Sequence, residues 1–180
     1  YVGGIAGYGY QFSDCTNSIT INYTGDGMYV GGIAGYVNNS GSYTMTNLTN
    51  KANVSGKDYV GGIFGKVLDE VKSWGGITAT FTNLTNSGAI TASGDYAGGI
   101  FGYGRWIDTD SDSYDVATVK METIKNTGNI TGKQYIGGLF GYAYGETNSS
   151  HLFDYNTSGT IIGTSDYADI AGKIENITVK

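Results

Sequence analysis

Tyr1-Val2-Gly3-Gly4-Ile5-Ala6-Gly7-Tyr8 opens the chain, and the phrase returns four times. It reads YVGGIAGY at 29–36, YVGGIFGK at 59–66, YAGGIFGY at 96–103 and YIGGLFGY at 135–142, with a degenerate copy, YADIAGKI, from Tyr167. The leading tyrosines are spaced by 28, 30, 37, 39 and 32 residues. Self-similarity at such a period is the mark of a stacked repeat, in which one unit cannot bury its apolar face alone and neighbours complete the core.

A second phrase precedes each copy. It reads Thr46-Asn47-Leu48-Thr49-Asn50, Thr82-Asn83-Leu84-Thr85-Asn86, Thr123-Ile124-Lys125-Asn126 and Phe153-Asp154-Tyr155-Asn156, with Asn17 as a weak first copy. From its last Asn to the next Tyr the gap is 12, 9, 10, 9 and 11 residues, whereas from that Tyr onward to the following Asn it is 16, 21, 27, 30 and 21. Each unit therefore has a fixed arm and a variable arm. Length variation confined to one slot predicts insertions, chiefly 66–75 and 104–115, that leave the stack from one edge.

The local pattern is β. Gly76-Ile77-Thr78-Ala79-Thr80-Phe81-Thr82 alternates with period two, and Ala89–Ala92 and Gly128–Thr131 are short strands between Gly, Asn and Ser turns. The fold class predicted is all-β, a right-handed parallel β-solenoid of about five coils forming one domain over 1–180. A Gly-Gly corner with positive φ would turn Val and Ile of each YVGGI inward. Asn50, Asn86, Asn126 and Asn156 would stand in register as an amide column.

Composition agrees. The chain has 31 Gly, no Pro and 16 Tyr, a glycine content that is architectural rather than that of a flexible linker. Charged residues are 14%, against an average of about 25%. A net charge of −6 with no basic run speaks against nucleic acid as a partner, since phosphate binding needs clustered Lys and Arg. No apolar stretch approaches the ~20 residues of a membrane helix. Cys15 has no second cysteine to pair with.

Gly-Gly-hydrophobic-x-Gly preceded by Asn86-Ser87-Gly88-Ala89-Ile90-Thr91 or Asn126-Thr127-Gly128-Asn129-Ile130-Thr131-Gly132 resembles the GLUG-motif repeats of bacterial surface proteins. The resemblance covers nearly the whole chain. It implies an extracellular or cell-surface location and a stalk, fibre or scaffold role, as in large adhesins. In cell-wall-bound proteases similar repeats accompany a catalytic H-E-x-x-H, which this chain lacks; its one histidine is His151. No nucleophile–base pair is apparent and a non-enzymatic protein is expected. Its partners are expected to be flanking repeats of the same protein or copies stacked end to end.

Three groups of residues carry candidate chemistry. Trp74, Trp106, Tyr103 and Tyr114 lie in or beside the long insertions, where exposed rings could bind a glycan or a host surface protein; packing of each ring onto its own coil is the competing reading. Asp108, Asp110, Asp112 and Asp115 alternate as at the start of a calcium loop, although Ser113 and Val119 stand where such a loop needs Gly and Glu. Ca²⁺ is the one candidate cofactor, and a solvated acidic loop the alternative. Sequons begin at Asn22, Asn38, Asn47, Asn53, Asn83, Asn129, Asn148, Asn156 and Asn176. In a eukaryotic source they would make this a glycosylated filament subunit; otherwise they are Asn/Thr ladders. Asn156 is set apart because it belongs to the inferred amide column. Ice binding by Thr78, Thr80 and Thr82 is disfavoured because the array does not recur in every coil.

Overall fold

A computed structural model describes residues 1–71, 77–108, 117–145, 150–157, 159–163, 167–168 and 171–175. The first coil contains β1 (Val2–Gly3), β2 (Ala6–Gly9), β3 (Ser13–Asn17) and β4 (Ile21–Asn22). The second has β5 (Val30–Gly31), β6 (Ala34–Asn39), β7 (Tyr43–Asn50) and β8 (Val54–Gly56), and the third β9 (Val60–Gly61), β10 (Phe64–Val71), β11 (Ile77–Asn86) and β12 (Ile90–Ala92). Then come β13 (Ala97–Gly98), β14 (Phe101–Asp108), β15 (Ala117–Asn126), β16 (Ile130–Thr131), β17 (Ile136–Gly137), β18 (Phe140–Gly145), β19 (Ser150–Thr157) and β20 (Ile161–Ile162). β21 (Tyr167–Ala168) and β22 (Ala171–Glu175) begin a further coil, and no helix occurs among the described residues.

Every fourth strand pairs in parallel, giving four sheets of six, six, five and five strands. The first sheet runs β1-β5-β9-β13-β17-β21 and the second β2-β6-β10-β14-β18-β22, the third unites β3, β7, β11, β15 and β19, and the fourth β4, β8, β12, β16 and β20. The chain is a parallel β-solenoid. Register follows the repeat: Val30 faces Val60, Leu48 faces Leu84, and Asn50 faces Asn86.

Two apolar columns fill the interior. Ile33, Ile63, Ile100 and Leu139 join Phe64, Phe101, Phe140, Leu48, Leu84 and Ile124 between the second and third sheets. Val30, Val60, Ala97 and Ile136 meet Val54, Ile90 and Ile130 between the first and fourth. Val and Ile of the YVGGI copies at 29–33 and 59–63 are thus both buried, on opposite sides of a waist. The waist is polar: Asn17, Asn50, Asn86 and Asn126 are the buried polar residues among those described. Nδ2 of Asn17 donates to Oδ1 of Asn50, Asn50 to Asn86, and Asn86 to Asn126, each at 2.8 Å. The second N–H of each amide donates two residues on, to the carbonyls of Ile19, Ala52, Gly88 and Gly128. Each ladder amide within the stack thus uses both donors, as a buried amide must.

The ladder explains the second glycine of each pair. A Cβ on Gly32 would sit 2.6 Å from Asn50 Cγ; the backbone must pass that close for the amides to line up. The expected positive φ is not found, because none of Gly31, Gly32, Gly61, Gly62, Gly98 and Gly99 lies in the left-handed region. That conformation falls two residues before the pair, on Tyr59 (52°), Tyr96 (64°) and Tyr135 (58°), and on Asp14, Asn47, Asn83 and Thr123 inside the third-sheet strands. Those four kink the strand, which is why Met45 and Leu48, three apart, both face inward. Asn156 departs from expectation. A shift in pairing between Met121 and Ile124 sets Asn156 opposite Lys125 and brings Thr157 opposite Asn126.

Length variation falls at one corner. Residues 10–12, 40–42, 72–76, 109–116 and 146–149 all join a second-sheet strand to a third-sheet strand. Much of each expected insertion is strand rather than loop: β10 and β14 pair as far as Val71 and Asp108. Extended pairing satisfies backbone groups that a loop would leave to water.

Cutting the ladder tests its role. Asn86→Ala removes the acceptor of Asn50, the donor to Asn126 and the donor to Gly88. Unsatisfied buried groups cost about 1–3 kcal/mol each, so thermal unfolding is expected roughly 6–12 °C below the parent for a loss of about 3 kcal/mol. A melting curve that superimposes on the parent contradicts the assignment.

Candidate functional site

The residues proposed from sequence do not converge. Trp106 is fully buried, not a ring offered to a ligand. Its Nε1 donates to Tyr43 Oη at 3.1 Å, and it packs edge-on against Phe81, Phe101 and Phe140 at 6.1, 6.0 and 6.0 Å. The reason is strand parity: β14 continues the sheet, so Arg105 points out and Trp106 in, and Gly104 leaves room for the indole. Trp74, Tyr114, Asp110, Asp112 and Asp115 lie outside the described residues, and Asp108 pairs with Val71 at the end of β14. No group of three His, Cys, Asp or Glu suited to a metal occurs among the described residues.

The sequons divide. Asn47 and Asn83 are exposed and form a second ladder, Asn83 Nδ2 donating to Asn47 Oδ1 and Asn47 Nδ2 to Asp14 Oδ1, both at 2.8 Å. Nδ2 is the atom a glycan would occupy, and two branched sugars on amides one hydrogen bond apart would collide. Asn53 and Asn129, also exposed, accept from Ala89 N and Thr160 N at 3.0 Å. Asn22 accepts from Ser55 Oγ, and Asn38 is half-buried. Asn148 and Asn176 lie outside the described residues. The exposed Asn47–Asn83 ladder also interrupts the threonine face, standing between Thr46 and Thr49 and between Thr82 and Thr85.

Tyr103 belongs to a continuous side-chain assembly, two lanes of tyrosine along the corner between the first and second sheets. The inner lane is the leading tyrosine of each repeat. Tyr1 stacks on Tyr29 (5.4 Å, 9°), Tyr59 on Tyr96 (4.5 Å, 2°) and Tyr96 on Tyr135 (4.8 Å, 21°), while Tyr29 meets Tyr59 nearly perpendicular (5.1 Å, 75°). The outer lane is the last residue of the repeated octet: Tyr8, Tyr36, Lys66, Tyr103 and Tyr142 follow one another in register, and Lys173 follows Tyr142. Tyr103 stacks on Tyr142 (5.1 Å, 7°).

Lys66 takes the place of a ring. Its Nζ lies 4.9, 5.6 and 5.2 Å from the ring centroids of Tyr29, Tyr36 and Tyr103, and donates to Tyr29 Oη at 3.4 Å. An ammonium held by ring quadrupoles keeps the lane continuous without a phenol. Arg105 is likewise placed over Tyr144, 5.6 Å from its centroid. Rings stacked on each other turn their faces to their neighbours, so the lane offers solvent mainly edges and hydroxyls. Sugar stacking needs a free face. The outer lane was legible as the octet's last letter, Y, Y, K, Y, Y, but not the fact that it packs against the inner one.

Crowding shifts the inner lane's chemistry. Burial, with Tyr96, Tyr29, Tyr103 and Asp58 nearby, pushes the Tyr59 phenol from 10.0 up to about 12. Comparison of the chain with family models, curated proteins and solved structures finds no match.

Two outcomes follow. Trp106→Ala should lower stability by about 3–5 kcal/mol, as large-to-small changes of buried aromatic residues do, read as a shift in denaturant midpoint; a surface tryptophan would give almost none. For Tyr59, the raised pKa means that the unfolded chain ionises first. Its stabilising contribution is complete below pH 10 and is lost as pH rises toward about 12. Urea titrations across that window should show a shallower loss of stability in Tyr59→Phe than in the parent; equal slopes would contradict the shift.

Proposed function

We propose that this chain is a structural module of an extracellular or cell-surface protein, a stalk, fibre or scaffold segment that does no catalysis. The observation that carries the reading is that each kind of side chain recurs at one place in successive coils. The amide ladder, the apolar columns and the tyrosine lanes all run along the stack axis, an arrangement suited to length and stiffness rather than to one reaction centre. The resemblance to GLUG-motif repeats supports the same role and location.

The partners proposed are further coils, either flanking repeats of the same protein or second copies stacked end to end. Ile5 in the first coil is 50% exposed, while Ile33, Ile63 and Ile100 at the same position are fully buried. An apolar coil face beside unpaired strand edges invites another coil. Attachment to a glycan or host protein through Trp74 and Tyr114 is the adhesive variant. Exposed sequon residues Asn22, Asn53 and Asn129 favour a glycosylated filament subunit if the source is eukaryotic.

The test is a glycan array together with a panel of extracellular-matrix proteins, probed with the purified chain. The scaffold reading expects no saturable binding. It also expects light scattering to show association that grows with concentration and is weakened by Ile5→Lys. Saturable binding abolished by Trp74→Ala would replace it with the adhesive reading.

A further inference from the structure

We propose that the tyrosine lanes are a site of oxidative cross-linking, in which Tyr59 and Tyr96, and next to them Tyr96 and Tyr135, are joined ring to ring so that successive coils become covalently tied. The inference goes beyond the scaffold role and holds whatever surface that scaffold serves.

Geometry comes first. Tyr59, Tyr96 and Tyr135 precede residues held in parallel register, Val60 opposite Ala97 and Ala97 opposite Ile136. Their rings are nearly parallel, at 4.5 and 4.8 Å. Each of these rings is therefore held against its counterpart in the next coil before any reaction. Prior alignment of this kind converts an encounter between two radicals into an intramolecular step, with a large gain in effective concentration. Tyr29 and Tyr59, at 75°, lack that alignment.

Access comes second. The rings offered to solvent are Tyr10 (62% exposed), Tyr1 (61%) and Tyr8 (42%). From them contacts run inward without a gap: Tyr10 to Tyr8 at 5.2 Å, Tyr8 to Tyr36 at 5.5 Å, Tyr36 to Tyr29 at 5.5 Å and Tyr29 to Tyr59 at 5.1 Å. An oxidant too large to enter can remove an electron at an outer ring, and the vacancy can be refilled from the next ring along. In the outer lane the position between Tyr36 and Tyr103 is held by Lys66, which has no phenol to oxidise, so the unbroken run of phenols through the middle coils is the inner lane. The chain's one cysteine offers no disulfide within it to tie the coils.

The chemistry balances with hydrogen peroxide consumed by a haem peroxidase as oxidant. Each phenol gives up one electron and its hydroxyl proton, becoming a neutral phenoxyl radical. Two radicals join carbon to carbon, ortho to each hydroxyl. Each joined carbon then releases its hydrogen as a proton while the oxygen regains one, restoring two phenols. Two tyrosines and one peroxide thus give one dityrosine and two waters.

The experiment treats the dilute purified chain with a haem peroxidase and hydrogen peroxide, then follows dityrosine fluorescence, monomer mass and tryptic peptides. The expected product is a monomer lighter by two hydrogen atoms, in which peptide 58–66, carrying Tyr59, is joined to peptide 73–105, carrying Tyr96. That linked pair should disappear in Tyr96→Phe, which keeps the ring but removes the phenol, while Tyr23→Phe, outside the lanes, leaves it unchanged. In urea the intramolecular yield should fall about tenfold, because alignment is lost. Cross-links found only between molecules, a 58–66 to 73–105 link that survives Tyr96→Phe, or an equal yield in urea would each overturn the proposal.

Discussion

A hydrogen-bonded column of asparagine amides sets the cross-section of this protein. Each amide must stand one strand spacing, about 4.8 Å, from the next, and must also reach the backbone two residues on. Both demands are met only if the opposite wall comes very close. That wall is the second glycine of each repeat, with Gly32 against Asn50 and Gly62 against Asn86. The contact pinches the coil into two apolar compartments, and the hydrophobic residues are sorted by it: valine before the glycines goes to one side, isoleucine after them to the other. The second glycine of each pair, the recurring asparagine and the separation of Val from Ile are one constraint seen from three places.

The constraint also accounts for where variation is allowed. The arm from asparagine to the next tyrosine closes the smaller compartment by short strands and tight turns, so its length hardly changes. The arm on the far side encloses the larger compartment. There an added pair of residues on one strand can be matched on its neighbour, as β10 and β14 match out to Val71 and Asp108. The enlarged compartment then needs filling, and Trp106, with Tyr43 as its hydrogen-bond partner, occupies it.

How much was legible in the sequence follows from this division. Columns built from residues of one type at one repeat position could be read directly: the buried asparagines, the core isoleucines and the inner tyrosines. Features that depend on parity or on exact register could not. Trp106 looks like an exposed insertion residue until β14 is known to continue as strand, after which alternation turns it inward. Asn156 carries the right letter in the right phrase, yet the altered pairing beyond Met121 moves Thr157 into its place. The glycine pair lacks the positive φ that its composition suggests. The left-handed backbone belongs to the tyrosine before it, at Tyr59, Tyr96 and Tyr135, a bulky residue for which sequence rules give little warning. Part of the cost of that conformation, about 1–2 kcal/mol per residue, is offset by the stacking it permits between rings of adjacent coils.

Every bond in the asparagine ladder points the same way. Each Nδ2 donates toward the later coil, from Asn17 through Asn50 and Asn86 to Asn126. The column therefore has an oxygen end and a nitrogen end, and its amide dipoles add instead of cancelling. Two such stacks meeting oxygen end to nitrogen end would continue the ladder with the hydrogen bond it uses internally. Two meeting oxygen to oxygen would set lone pair against lone pair at the narrowest point of the core. The module thus carries an arrow along its axis, and any joint that prolongs the ladder must respect it.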